Sequence, residues 1–261
     1  MRDVLEAVAR GELSPESAEA TLSGYVTSEA GRFDAARERR RGIPEAIYAA
    51  GKRPDEVATL ATTAVETTGR ALVTRVPEET ATVVIDRIVD DHPDATVERR
   101  GRTLIAQTGD YTPPTVDASV GLLTAGTADG PVADEAQAVI ESAGIDVTRI
   151  DDVGVAALSR LLDQLHTVRR QDVLIVAAGR EGALPTVVAG LVDAPVIGLP
   201  VASGYGRGGD GSAALDGMLQ SCTVLSVVNV DAGYVAGSQA TLIARAIAHA
   251  RTNNGPGDNR P

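Results

Sequence analysis

Three glycine-rich turns follow short apolar runs in this chain: Ala-Gly-Thr-Ala-Asp-Gly at 125–130, Ala-Ala-Gly-Arg-Glu-Gly at 177–182 and Ser-Gly-Tyr-Gly-Arg-Gly-Gly-Asp-Gly at 203–211. Glycine lets backbone come close to a ligand. A helix starting just beyond such a turn offers free N–H groups and a positive dipole end to a phosphate. None of the three is the spaced G-x-G-x-x-G fingerprint, and none carries the Lys-Ser/Thr of a P-loop. One such turn is best read as a tight strand-to-helix connection, whereas three on one sheet point to a ligand. In or beside the ends of these runs stand Asp129, Glu181, Ser203, Tyr205, Asn229 and Asp231.

Cys222, the one cysteine, lies in Met-Leu-Gln-Ser-Cys-Thr-Val-Leu, which reads as the end of a helix before the last strand. Position alone favours a small buried hydrophobe over a nucleophile. His92, His166 and His249 fall in or beside helices, so neither a Cys/His pair nor a histidine metal site is expected. In the first half, Asp34, Arg37, Arg40 and Arg41 crowd together and Arg75 follows in Val-Thr-Arg-Val. Such arginines can fork onto phosphates or carboxylates, or can form a solvated face paired with Glu38 and Glu45.

Buried parallel strands read as unbroken apolar runs, and Val173–Ala178, Val196–Pro200 and Val224–Val230 are such runs, each leading to a turn and a helical pattern. Val120–Thr124 and a strand near Asp146–Val153 precede them, with helices expected from about Pro131 to Gly144 and from Leu158 to Val168. A last helix is expected from about Gly237 to Ala250. Five parallel strands with crossovers make a doubly wound α/β sandwich of three layers, whose ligand belongs at the carboxyl ends of the strands. Residues 1–110 read as a smaller α+β domain. Two short helices fill 1–31, the second capped by Ser14 with Pro15 at its first position, and an extended segment runs to a strand near 45–49. A helix over 54–68, a strand over 71–76, a helix over 78–91 and a hairpin of 95–99 with 103–106 complete that domain. Gly109–Thr115, with two prolines, is the linker; the sandwich takes 111–252, and 253–261 has the composition of a disordered tail.

With 43% hydrophobic residues among 261, the chain can bury proper cores. No apolar run of about eighteen residues exists, and the acidic, amphipathic start is not a signal peptide. One cysteine excludes an internal disulfide framework and fits a reducing, cytoplasmic setting. A net charge of −12 argues against nucleic-acid and anionic-membrane partners. Only Lys52 of the 24 basic residues is lysine, against 36 acids. That surface suits a salt-rich, halophilic cytoplasm, and the codon bias of a GC-rich genome would produce it equally well.

Ordered motifs from Asp34 to Gln239 carry a resemblance. They are Asp-x-x-Arg-x-x-Arg-x-Gly at 34–42, Pro-Glu at 44–45, Gly-Lys at 51–52, Thr-Arg at 74–75, Gly-Thr-x-Asp at 126–129 and Asp-x-Gly-Val at 152–155. The long run Ala-Gly-x-Glu-Gly-Ala-Leu-Pro through Pro-Val-Ile at 178–197, Ser-Gly-Tyr-Gly at 203–206, Ser-Cys at 221–222 and Asn-Val-Asp at 229–231 continue them. This pattern resembles the LarB family, whose C-terminal domain is similar to carboxyaminoimidazole ribonucleotide mutase, and implies a flavodoxin-like, PurE-like sandwich. The resemblance implies carboxylation of the pyridinium ring of nicotinic acid adenine dinucleotide and hydrolysis of its phosphoanhydride. The products would be AMP and pyridinium-3,5-biscarboxylic acid mononucleotide, the first step towards a nickel-pincer cofactor.

By that resemblance Cys222 adds to the ring, Glu181 and Asp129 are candidate bases, and Arg40 and Arg75 hold carboxylate and phosphates. Thr127, Ser203, Gly204, Tyr205 and Gly206 line the cradle, with Asp34, Asn229 and Asp231 as further binding residues. It also implies a homo-octamer, carbon dioxide or bicarbonate as co-substrate, Mg²⁺ at most accompanying the substrate, and no tightly bound cofactor or protein-held metal. The chain departs from the pattern at Ala128, where the family has serine, and at Ala232, where it has asparagine. It also has Val201-Ala202 before the third turn and no glycine in Thr-Val-Leu-Ser-Val-Val after Cys222. The alternatives are a carboxylase or mutase of aminoimidazole ribonucleotide, for which the loop histidine is missing, and a nucleotide-binding regulatory protein without catalysis.

Overall fold

A computed structural model describes residues 2–203, 206 and 208–253, in two compact units, 1–113 and 114–261. In the first unit, α1 (Arg2–Ala9) and α2 (Pro15–Ser23) precede a small hairpin of β1 (Val26–Ser28) and β2 (Gly31–Phe33). The hairpin and α3 (Arg37–Arg41) replace the extended segment expected there. Three-residue strands give almost no alternation to read, and buried Val26 and Phe33 are what pin them. Arg-Glu-Arg-Arg-Arg has no apolar period either. Its single helical turn is held from outside by Arg37 on Glu45 at 3.0 Å and Glu38 on Arg70 at 2.6 Å, and it ends at Gly42 in the left-handed region.

The sheet of this unit has the order β3 (Ile47–Tyr48), β4 (Arg70–Thr74), β6 (Thr103–Gln107), β5 (Thr96–Arg100), with only β3 and β4 parallel. Against it pack α4 (Pro54–Thr68) and α5 (Glu78–Asp91), burying Val57, Val65, Val84 and Ile88 against Val73 and Leu104. The threonine-rich α4 survives because Thr62, Thr63, Thr67 and Thr68 return their hydroxyls to carbonyls four residues back, so no donor is stranded. Edge strand β5 is exposed and charged, which discourages further pairing.

In the second unit five parallel strands, β7 (Ser119–Thr124), β8 (Asp146–Ile150), β9 (Val173–Ala178), β10 (Val196–Pro200) and β11 (Ser226–Val227), stand in the order β11-β10-β9-β7-β8. On one face lie α6 (Gly130–Ser142) and α10 (Gly233–Asn253). On the other lie α7 (Leu158–Val168), α8 (Ala183–Ala189) and α9 (Ser212–Leu219). Strand β9 shows how one apolar run serves both layers. Val173, Ile175 and Ala177 face α6 and α10, while Leu174, Val176 and Ala178 face the other three helices, as a period of two requires. The sandwich is doubly wound and three-layered, as its sequence implies.

Several boundaries differ from the sequence reading. The strand expected near 146–153 ends at Ile150, those expected near 45–49 and over 224–230 contract to two residues each, and α10 begins at Gly233, before the expected Gly237. Gly233 and Gly237 are helix breakers by propensity, yet here they let α10 touch α6. A Cβ at Gly233 would stand 2.3 Å from the Val132 carbonyl oxygen, and one at Gly237 would stand 2.6 Å from that of Ala136. The tail assigned to 253–261 lies outside the described residues except for Asn253, which closes α10. Among the described residues no helix is long and apolar enough to cross a membrane.

Candidate active site

From β7 the chain turns to β8 on one side of the sheet and later to β9 on the other, so the carboxyl ends of β7 and β9 bound a crevice. A cleft of about 710 Å³ lies there, walled by the turns after these strands and by Ser203 beyond β10. It gathers Thr127, Asp129, Glu181 and Ser203, four of the residues expected from the sequence.

Asp129 is only 4% exposed, at the head of α6. Its Oδ2 accepts the Gly126 N–H at 2.9 Å and its Oδ1 accepts the Ser203 hydroxyl at 2.8 Å. Burial raises its pKa above the ordinary carboxylate value, and the donated bonds from Ser203, Gly126 and Ala125 only partly offset that. A carboxyl with a raised pKa keeps its proton further towards neutrality, as suits a group that both takes and gives protons. The charged form is the costly one in the folded chain. Stability from this site is therefore present at acid pH and lost as pH rises through the raised value. Asp129→Asn is expected to melt above the wild type at neutral pH and level with it in acid, read from melting curves across pH 3–8. A variant that melts lower at every pH would contradict this.

Glu181 follows Arg180, whose φ of 50° is in the left-handed region, and Gly182, whose φ is 65°. The turn is this tight because α9 presses on it. A Cβ at Gly182 would stand 2.5 Å from the Ala214 carbonyl oxygen, and one at Gly217 would stand 2.1 Å from that of Glu181. The Glu181 carboxylate is exposed and lines the cleft, and among the described residues Arg180 approaches it loosely, at 3.9 Å.

Opposite, Thr124 ties two strand ends together. Its hydroxyl donates to Asp151 at 2.8 Å and accepts the Asp152 N–H at 3.2 Å. Asp152 has a φ of 58° and takes an ion pair from Arg160. Asp152, Arg160 and Arg180 all line the cleft. Sequence reading noticed the Asp-x-Gly-Val motif but gave these three no role, because the left-handed backbone of Asp152 and Arg180 has no signature in non-glycine residues and Arg160 reads as an ordinary polar position of α7.

The remaining candidates lie elsewhere. Asp231, with a φ of 55°, accepts the Ala202 N–H at 2.9 Å and so braces the turn that carries Ser203. Asn229 accepts the Val230 N–H at 2.9 Å, and neither side chain lines the cleft. Gly204 and Tyr205 lie outside the described residues; Gly206 is an exposed bend.

Cys222 is neither buried nor helical. It is exposed, in a bend three residues past the end of α9. Hydroxyls fix that bend: Thr186 donates to Ser221 at 2.9 Å, and Ser221 and Thr223 share a 2.8 Å bond. Cys222 is not among the described residues that line the cleft.

In the first unit Arg40 forks onto Asp34 at 3.0 and 2.7 Å, and Arg37 pairs with Glu45. Arg75, at a φ of 55°, stacks over the Tyr48 ring at 5.2 Å. Desolvation raises the Glu45 pKa despite Arg37. The cluster thus contains the internal pairing that the sequence left as one of two readings.

Residues 25–108 match the family described as the LarB/PurE-like N-terminal domain, and residues 119–255 match AIR carboxylase. A protein of Methanocaldococcus jannaschii described as uncharacterized, MJ0165, is 36% identical over 258 residues, covering 94% of this chain and 97% of its own. Crystal structures of Treponema denticola PurE and of a PurE2 from the same organism align at TM-scores of 0.39 and 0.38 with 18% and 19% identity. Each covers 52% of this chain, and 90% and 92% of their own.

Proposed function

The chain belongs to the LarB/PurE-like family with its AIR carboxylase domain, and from that premise we propose that it carboxylates nicotinic acid adenine dinucleotide and cleaves its phosphoanhydride. Carboxylase-type chemistry follows from the family; the substrate and the covalent route are the proposal. The observation that carries it is the cleft at the strand crossing, where two carboxylates of different environment, buried Asp129 and exposed Glu181, share one space. Groups so separated suit separate proton-transfer tasks.

A pyridinium ring is electron-poor and does not attack carbon dioxide. Addition of the Cys222 thiolate forms a C–S bond and turns the ring into a neutral, enamine-like dihydropyridine, whose position 5 attacks carbon dioxide. Glu181 then removes the proton from position 5, the C–S bond breaks, and the thiolate leaves as aromaticity returns. Hydrolysis needs a water at the phosphorus, with Asp129 to accept its proton and AMP as leaving group. The co-substrate carbon supplies the second carboxylate, and no oxidant or reductant is required.

Cys222 is not among the described residues lining the cleft, and in this reading a second copy brings it there. The flanks of the bend agree with a contact: Leu219 is 64% and Val224 97% exposed. A homo-oligomer with shared sites is therefore part of the proposal. Against the aminoimidazole ribonucleotide reading, no histidine is among the described residues lining the cleft. Offering each substrate in turn with labelled bicarbonate tests the choice. Label fixed into the dinucleotide supports the proposal, and label fixed only into aminoimidazole ribonucleotide contradicts it.

A further inference from the structure

We propose that Arg160 grips the phosphates joining the two halves of a dinucleotide, with one nucleoside in the cleft and the other in a groove continuing over the end of β8. The inference rests on the substrate being a dinucleotide and adds where its second half lies. The groove, of about 440 Å³, shares Asp152 and Arg160 with the cleft, so the two spaces meet at that ion pair.

The charges sort the ligand. Beyond the junction the groove presents Asp151 and Asp163, which repel phosphate but accept hydrogen bonds from ribose hydroxyls. In dinucleotide-binding sheets an acid just past the second strand takes that role, and Asp151 and Asp152 stand just past β8, the second strand of this sheet. Arg149 is occupied: it donates to Asp134 at 2.9 Å, Asp151 at 2.7 Å and Gln137 at 3.1 Å. Arg160 is not. One Nη donates to Asp152, while its Nε is buried without a hydrogen-bond partner among the described residues. Arg160 itself lines both the cleft and the groove. Asp152 holds that guanidinium in position, since its own N–H is fixed by Thr124. Phosphates therefore fit at the junction, and a hydroxyl-rich nucleoside fits on either side.

Calorimetric titration of wild type, Arg160→Ala and Gln164→Trp with the dinucleotide, AMP and nicotinic acid mononucleotide tests this. Arg160→Ala is expected to weaken the dinucleotide on the order of 10- to 100-fold, the effect of losing a charged hydrogen-bond donor. Gln164 is exposed on the groove wall, so Trp there should weaken AMP and the dinucleotide and spare the mononucleotide. Unchanged dinucleotide affinity in Arg160→Ala, or unchanged AMP affinity in Gln164→Trp, overturns the proposal. Binding that depends on Arg160 without any carboxylated product supports this subsite and instead refutes the proposed reaction.

Discussion

Cys222→Ser is expected to abolish carboxylation, by a factor on the order of a thousand or more, while leaving the fold intact. The two halves of that statement have separate causes. Stability is spared because Cys222 is exposed in a bend held by Thr186, Ser221 and Thr223, so its sulfur fills no core space. Activity is lost because an alkoxide forms far less readily than a thiolate near neutral pH, and without ring addition position 5 stays electron-poor. Dinucleotide affinity and slow AMP release should persist, since both depend on the cleft. A Ser variant that fixes labelled carbon near the wild-type rate would show that Cys222 plays no covalent part.

Mixing two inactive variants is expected to restore activity. Cys222→Ser chains keep Glu181 in their clefts, and Glu181→Gln chains keep Cys222 on their bends. If a neighbour supplies the thiol, a cleft of the first kind beside a bend of the second kind is complete. Random equal mixing in a symmetric assembly then makes about a quarter of the sites competent. If both groups served the same chain, every site in the mixture would lack one of them and no activity would return. Co-expression with two different tags, followed by isolation of the doubly tagged assembly, decides between these outcomes. Recovery would also establish the oligomer, which the exposed Leu219 and Val224 beside Cys222 favour.

The sequence was most legible where periodicity is strong. Val173–Ala178 and Val196–Pro200 are strands over the very residues that read as apolar runs, and Leu158–Val168 is a helix over its own amphipathic span. Legibility failed where structure depends on partners far along the chain. The turn of Arg37–Arg41 exists because Glu45 and Arg70 hold it, and α10 starts on two glycines because α6 needs its backbone close. The same division runs through the site. Glycine-rich turns announced Asp129, Glu181 and Ser203, whereas Asp152 reaches the wall through its own left-handed backbone, which no composition marks, and Arg160 reaches it from α7. Cys222 was legible as a residue type and illegible in place. Only the fold shows that it stands exposed in a bend held by Thr186 and outside the described cleft lining.

The most direct test of the central claim is the mass of the product formed from nicotinic acid adenine dinucleotide in ¹³C-bicarbonate. The reaction derived from this cleft yields AMP and a mononucleotide heavier than nicotinic acid mononucleotide by one labelled carboxyl group, with both products in equal amount. Dinucleotide recovered intact, or AMP released beside an unlabelled mononucleotide, would contradict carboxylation of the ring.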